Sequence, residues 1–149
     1  MAIEVLTMAK CVGRVLTRLA RKCQVATGNA LQKYNLAAAE EPFLRAVLNN
    51  EGFTQEELTA WVGLDKAATA RAMRSLEEKG YLIRLQDPRD KRQNRVYPTD
   101  KARDVGPRVR RELANINRCL TLGLSQEEGD LFYALLVQID EHFDEHFKS

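Results

Sequence analysis

The stretch from Thr54 to Thr99 constrains the fold of this chain more than any other part of it. Two short helical patterns are followed by Gly80, two β-prone runs and a very basic turn, Asp-Pro-Arg-Asp-Lys-Arg-Gln-Asn, at 87–94. Helices this short, joined by a turn of a few residues, have the proportions of a helix-turn-helix. Arginines on a hairpin tip beside such a helix favour docking on a nucleic-acid backbone, which requires cationic side chains on a rigid support.

Local signals divide this stretch into elements. Thr54 and Glu57 form a capping box that opens a helix ending at Gly63, and the residues expected to face inward are Leu58, Trp61 and Val62. Asp65 can cap a second helix over 66–79, which Gly80 ends. The runs 81–85 and 95–97 are predicted to be the strands of a hairpin.

Longer helical patterns flank this stretch on both sides. Apolar or small residues at three- and four-residue steps predict one helix over 3–33, and a second helix beginning near Ala39–Pro42. After the hairpin, Thr99 or Asp100 caps a long helix that Gly106-Pro107 is expected to kink or restart. A capping box at Ser125 opens the final helix.

These outer helices each carry an apolar stripe, and a compact winged helix of 50–60 residues cannot cover all of them. Packing of the N- and C-terminal helices together, with those of a second copy, would bury the stripes. The predicted fold is therefore mostly α, an α+β winged helix-turn-helix with long terminal helices that form a dimerisation lobe.

Composition excludes several classes of protein. Hydrophobic residues make up 44% and charged residues 30% of the 149, as in globular proteins, and no apolar run approaches the roughly 18 residues of a membrane span. The N-terminal stretch lacks the features of a signal peptide, so we expect a cytoplasmic protein without membrane contact. Net charge is only +2, but residues 65–101 hold ten Lys or Arg against six Asp or Glu, which places the polyanion-binding surface there.

No catalytic set is visible, because the chain has two histidines, both near its C-terminus, and no phosphate-cradling glycine loop. We expect neither an enzyme nor a cofactor. His142 and His146 are spaced i, i+4 and are weak candidates for a metal site, the alternative being a polar or interface pair. The three cysteines form no CxxC pair; Cys23 is expected to be buried, whereas Cys11 and Cys119 are expected to be more exposed, and a redox role for any of them stays open.

Three local motifs resemble the MarR family (multiple-antibiotic-resistance regulators) of winged-helix transcription factors. Residues 64–73 match the family's recognition-helix pattern, residues 76–81 its helix end, and residues 87–92 its wing, including D-x-R at Asp90 and Arg92. The order of elements agrees along nearly the whole chain. Pro98-Thr99 and Ala102 depart from the family's Leu-Thr then Gly, and Pro98 is expected where no backbone donor is needed, as at a sheet edge.

Helical spacing and the resemblance together predict the DNA-binding residues. Thr69, Ala72, Met73 and Leu76 share the core face of the 66–79 helix. The predicted contacts are Lys66, Ala67, Ala70, Arg71 and Arg74 on the helix and Arg89, Lys91, Arg92 and Gln93 on the wing. The resemblance places Arg92 in a minor groove, and Asp90 is expected to stabilise the wing through an arginine or the turn amides. The alternative for the helix is a solvated face with an Arg74–Glu78 pair.

The resemblance implies a single MarR-type domain over 1–149. Within it, 36–99 would form the DNA-binding lobe, and 1–35 with 100–149 the dimerisation lobe. It further implies a homodimeric regulator, more often a repressor, acting on a pseudo-palindromic DNA duplex and released by a small effector of unknown identity, with Gly106-Pro107 as a candidate flexure point. Two alternatives remain: a metal- or thiol-based sensor on the same scaffold, and a helical interaction module without DNA binding.

Overall fold

A computed structural model describes residues 11–147 of the chain, with side chains as far as Phe143. Helix α1 runs over Val12–Leu31 and is followed by short 3-10 turns at Gln32–Tyr34 and Ala38–Glu40. Then come α2 (Glu41–Asn49), β1 (Phe53–Thr54), α3 (Gln55–Val62), α4 (Lys66–Glu78), β2 (Leu82–Gln86), β3 (Asn94–Pro98), α5 (Asp100–Leu120) and α6 (Gln126–Phe147). The predicted part of the first helix before residue 11 lies outside the described residues.

The predicted caps and stops are present. Thr54 Oγ1 accepts a hydrogen bond from the Glu57 amide at 3.2 Å, and the Glu57 carboxylate accepts one from the Thr54 amide at 2.7 Å. Asp65 caps α4 by accepting the Ala68 amide at 2.8 Å. The glycines that end α3 and α4, Gly63 and Gly80, both have left-handed backbone, as a helix C-terminus favours.

The sheet has three antiparallel strands in the order β1-β3-β2, one more than the sequence analysis predicted. Strand β1 contributes only two residues, which pair with Val96 and Arg95. The Val96 carbonyl also accepts from the Gly52 amide, so the backbone of β3 faces β1 at Val96 and again two residues later, at Pro98. Strand β1 begins only opposite Val96, so no residue of β1 pairs with Pro98, although β3 is the central strand and not the edge strand that the prediction supposed.

One hydrophobic core lies beneath α4 and the sheet, and it draws on α1, α2, α3 and the first half of α5. The core face predicted for α4 is buried at all four positions. Of the three residues expected to face inward on α3, Leu58 is buried and Val62 packs on the core, but Trp61 is 45% exposed. That expectation was wrong for Trp61 because Leu58 and Val62, one turn apart, fill the inward face of an eight-residue helix.

Helix α5 continues through Gly106 and Pro107, so of the two predicted outcomes the restart is wrong and the kink stays a prediction. Gly106 is buried, and a Cβ atom at this position would lie 2.7 Å from Cδ1 of Leu48. The glycine thus permits close packing of α5 on α2, and the helix tolerates the missing amide of Pro107.

Backbone contacts divide the chain into two compact units, residues 1–114 and residues 115–149. In the second unit, α6 opens with the predicted capping box, in which Ser125 Oγ accepts from the Glu128 amide. Large apolar side chains on α6 are more than a third exposed, namely Leu131, Phe132, Tyr133, Leu135, Val137, Ile139 and Phe143. None of the described helices has the combination of length and apolar character needed to cross a bilayer.

Candidate nucleic-acid interface

Helix α4 presents the residues predicted to bind DNA on the face opposite the core. Lys66, Ala67, Arg71 and Arg74 are exposed and Ala70 is half-buried, while Met73 and Leu76 are fully buried. Ala70, Arg71 and Arg74 line one shallow hollow of about 220 Å³ together with Ser75 and Glu78. Small alanines beside long cations leave room for a groove wall to approach the helix backbone.

The hairpin is anchored by a buried carboxylate that the sequence analysis did not single out. Asp87 is 4% exposed; one of its oxygens accepts the Arg89 amide at 2.9 Å, and the other pairs with the guanidinium of Arg95. The Arg89 amide and the Arg95 guanidinium together lower the pKa of Asp87. Arg95 also donates to the Gly52 carbonyl at 2.7 Å, so the same side chain connects the hairpin to the segment before β1.

The tip of the hairpin, residues 87–94, is called the wing tip below. Asp90, predicted to stabilise it, accepts the Arg92 amide at 3.0 Å through its side chain, and its carbonyl accepts the Gln93 amide at 3.0 Å. These are turn-amide contacts of the kind expected for Asp90. Arg89, Lys91, Arg92 and Gln93 all have exposed side chains.

Ion pairing separates the cations of this region into two sets. Arg84 pairs with Glu77, Arg95 with Asp87, and Lys79 with Glu40. Among the residues that the structure describes, no carboxylate forms an ion pair with the remaining six cations, which are Lys66, Arg71, Arg74, Arg89, Lys91 and Arg92. The Arg74–Glu78 pair considered as an alternative is therefore not formed. Exposed cations on rigid supports that form no ion pair can neutralise phosphates without first breaking a salt bridge within the protein.

The predicted site residues fall in two places. Ala70, Arg71 and Arg74 of the helix set line the α4 hollow, whereas Gln93 lines a separate hollow of about 320 Å³ with Thr54, Gln55 and Arg84. Arg84 donates to the Gln55 side chain at 3.2 Å, which connects β2 to the first turn of α3. The cations of α4 and those of the wing tip form two separate basic groups. A DNA duplex offers phosphates on both sides of each groove, so both groups can contact it.

Glu40 is a second functional candidate that sequence reasoning missed. It is 5% exposed and accepts hydrogen bonds from Ser75, in the last turn of α4, and from Lys79, which caps that helix. Only its position beside the expected helix start near Pro42 hinted at a structural role, since pairing with residues 35 or more positions away leaves no local pattern.

The histidines and cysteines considered for a metal or thiol sensor have the following surroundings within the described part of the chain. His142 has Nδ1 2.8 Å from the Gln138 carbonyl oxygen, and His146 lies beyond the described side chains. The described residues include no group of three or more potential metal ligands. Cys23 is only partly buried, contrary to expectation, because it lies on a helix whose side chains are mostly exposed; Cys11 is partly buried and Cys119 is exposed.

Comparison with known proteins gives the same assignment from independent data. The sequence model of the MarR family matches residues 43–93, from α2 to the wing tip. An uncharacterized HTH-type transcriptional regulator, YybA, of Bacillus subtilis (strain 168) is 26% identical over 131 residues, which are 88% of this chain and 87% of YybA. Residues 43–93 thus match the MarR family, and the chain as a whole is similar to HTH-type transcriptional regulators. These findings support the family resemblance read from the sequence, and they indicate a transcriptional regulator and not an enzyme.

Solved structures of transcriptional regulators show the same fold. The crystal structure of the transcriptional regulator SlyA superposes with a TM-score of 0.84 at 27% identity, covering 92% of this chain and 96% of SlyA. The transcriptional repressor CouR, solved bound to a 23-mer DNA duplex, shares the fold with a TM-score of 0.81 at 21% identity, over 94% of this chain and 99% of CouR. The predicted fold class, a mostly helical winged helix-turn-helix, is confirmed.

Proposed function

We propose that this protein is a homodimeric, ligand-responsive repressor of the MarR family that binds a pseudo-palindromic DNA duplex. The DNA-binding lobe would comprise residues 36–99, and the dimerisation lobe residues 1–35 with 100–149. The observation that carries the proposal is the set of six exposed cations on α4 and the wing tip that form no ion pair with the described residues. CouR, which shares the fold, was solved on duplex DNA, and this supports the choice of partner.

Each part of the basic surface has a different role in this proposal. Helix α4 enters a major groove, where Arg71 and Arg74 reach base edges or phosphates and Ala67 and Ala70 permit close approach. Lys66 contacts phosphate at the start of the helix. Arg89, Lys91 and Gln93 contact backbone near the wing tip.

Arg92 is assigned to the adjacent minor groove, whose narrow A·T stretches attract arginine. Its own amide is held by Asp90, so the backbone that carries it is fixed in the turn.

The exposed apolar side chains of α1 and α6 support the homodimer. Val12, Val15, Leu16 and Val25 on α1 are all more than a third exposed, as are Leu131, Leu135 and Ile139 along one side of α6. A second copy would bury these stripes and place two α4 helices about one helical turn of DNA apart. An effector that shifts that spacing would release the DNA. We place the protein in the cytoplasm, where its DNA lies.

The test is a binding titration with duplexes that tile the DNA flanking the protein's own gene, read by fluorescence anisotropy at several salt concentrations. We expect one or two duplexes to bind far more tightly than the rest. Arg92→Ala should weaken that binding by about tenfold and reduce the slope of log affinity against log salt by about one. Arg108→Ala, which removes an exposed arginine paired with Asp104 on α5, is the matched control and should leave both quantities unchanged. Unchanged affinity and slope for Arg92→Ala would refute the wing assignment.

A further inference from the structure

A buried carboxylate connects the C-terminal end of α4 to the turn between α1 and α2. Glu40 Oε1 accepts from the Ser75 hydroxyl and from Lys79 Nζ at 2.7 Å. Its second oxygen accepts from Lys79 Nζ at 2.8 Å and from the Ala37 amide at 2.7 Å. Both carboxylate oxygens thus accept two hydrogen bonds each, and of the three partners Ser75 lies in the helix proposed to enter the groove and Lys79 is the residue that caps its C-terminus.

The same end of α4 is held from two further directions. Tyr81, one residue after Gly80, is 1% exposed and donates its hydroxyl to the Tyr34 carbonyl at 2.6 Å. Lys101 Nζ donates to the Lys79 carbonyl at 2.7 Å and lies 4.3 Å from the centre of the Tyr81 ring. The C-terminal end of α4 is therefore bonded to the α1–α2 turn and to the start of α5.

At neutral pH Glu40 is ionised. Burial favours the neutral acid, but the hydrogen bonds from Lys79, Ser75 and the Ala37 amide outweigh it and lower the pKa of Glu40 below its usual value. Removing the charge of Glu40 would leave the ammonium group of Lys79 without its partner, and the loss of one member of a buried ion pair is strongly unfavourable.

We propose that Glu40 is a positioning residue for DNA recognition. It fixes the position of α4 in the protein, so that the exposed face of α4 meets the groove at one angle. The proposal rests on the DNA-binding function proposed above. Glu40 does not touch the DNA, since it lies buried behind the helix. It acts on specific binding, where side chains must meet base edges within tenths of an ångström, and not on the phosphate attraction that every sequence offers.

The decisive variant is Glu40→Gln, which keeps the size of the side chain and removes the charge that pairs with Lys79. We expect affinity for the best duplex from the flanking DNA to fall by about tenfold, while affinity for an unrelated duplex changes less than about twofold. The control is Glu51→Gln, which breaks the exposed pair with Arg103 and should leave both affinities unchanged. An unchanged specific affinity for Glu40→Gln, or an equal loss on both duplexes, would overturn the proposal.

A milder variant and a DNA-free measurement complete the test. Ser75→Ala removes one hydrogen bond and leaves the Glu40–Lys79 pair in place, so it should fold even if Glu40→Gln does not, and should lower only specific affinity, by about threefold. Hydrogen exchange of the free proteins should be faster at residues 75–79 in either variant and not in Glu51→Gln. Unchanged protection there would refute the anchoring. If the wild-type protein bound no flanking duplex, the proposed DNA-binding function would be refuted. Hydrogen exchange at residues 75–79 would still test whether Glu40 anchors the end of α4.

Discussion

Arg92 and Arg95 stand three residues apart and carry the same charge, but the structure gives them different surroundings. Arg95 is held between the Asp87 carboxylate and the Gly52 carbonyl, whereas Arg92 projects from the wing tip without a described ion-pair partner. The charge of Arg95 is thus used inside the protein, and that of Arg92 is available to a ligand. Counting basic residues in a sequence cannot make this distinction, because it depends on which acid the fold brings near.

The pKa of Asp87 makes a prediction about acid stability. A carboxyl group whose pKa is lowered on folding stabilises the native state fully above its unfolded pKa, about 3.9, and this contribution is lost as pH falls through the folded value. We expect Asp87→Asn to have a lower urea midpoint than wild type at pH 7 and to lose less of it on acidification from pH 7. The measurement is urea unfolding followed by circular dichroism at several pH values.

The control for this prediction is Asp104→Asn. Asp104 pairs with Arg108 on the surface of α5, with side-chain exposures of 57% for Arg108 and 66% for Asp104. Its removal should change the midpoint little at any pH, since exposed pairs contribute little. Parallel pH curves for wild type and Asp87→Asn would contradict the prediction.

At the scale of elements, the connection from α2 to β1 depends on Gly52. It has φ +83°, and a Cβ atom there would lie 3.2 Å from the Tyr97 hydroxyl. Gly52→Ala should therefore cost the left-handed strain of about 1–2 kcal/mol and, in addition, require Tyr97 to move. Gly63→Ala, at φ +73° with open space around it, carries the strain alone and is the matched comparison.

Chemical denaturation of both glycine variants measures their free energies of unfolding. We expect Gly52→Ala to lose more unfolding free energy than Gly63→Ala. Equal losses would mean that crowding against Tyr97 has no energetic weight.

The elements that the sequence predicted well are those with local signals. Capping at Thr54, Asp65 and Ser125, and the left-handed glycines after α3 and α4, follow from residues close together in the chain, and the structure has each of them. Strand β1 was missed because two residues carry no period, and its existence depends on pairing with β3, which lies about 40 residues further along the chain. For α5 the sequence left a kink and a restart at Gly106-Pro107 open, because the close packing of Gly106 against Leu48 of α2 is a tertiary contact without a local signal.

The same division applies to the site. The exposed face of α4 follows from helical spacing, because burial at Thr69, Ala72, Met73 and Leu76 fixes which residues point outward. The wing anchor Asp87 and the buried Glu40 could not be read in this way. Each pairs with a basic side chain that only the tertiary structure brings near, so no local sequence pattern identifies them.

At the scale of the whole molecule, the exposed apolar residues of α6 predict the oligomeric state. Leu131, Leu135 and Ile139 are spaced by four and are 61%, 47% and 48% exposed. If a second copy covers this stripe, Leu135→Glu would bury a charge in the interface and raise the dimer dissociation constant by about a hundredfold or more. Sedimentation velocity over a concentration series measures this directly, and operator affinity should fall in parallel.

Tyr133→Glu is the control for the dimer prediction. Tyr133 is 70% exposed and lies two residues before Leu135, so it projects from a different side of the helix. The variant should remain dimeric. A monomeric wild type, or a Leu135→Glu protein that associates as tightly as wild type, would refute the proposed dimer stripe.

Thr54 belongs to two elements at once, since it pairs with Arg95 in the sheet and caps α3 through its hydroxyl. No flexible joint separates the hairpin from the helix-turn-helix at this point. The basic surfaces of α4 and the wing tip should therefore bind to a duplex and dissociate from it together. Dissociation from a single site should then follow one exponential, without the slow second phase that an independently swinging hairpin would add.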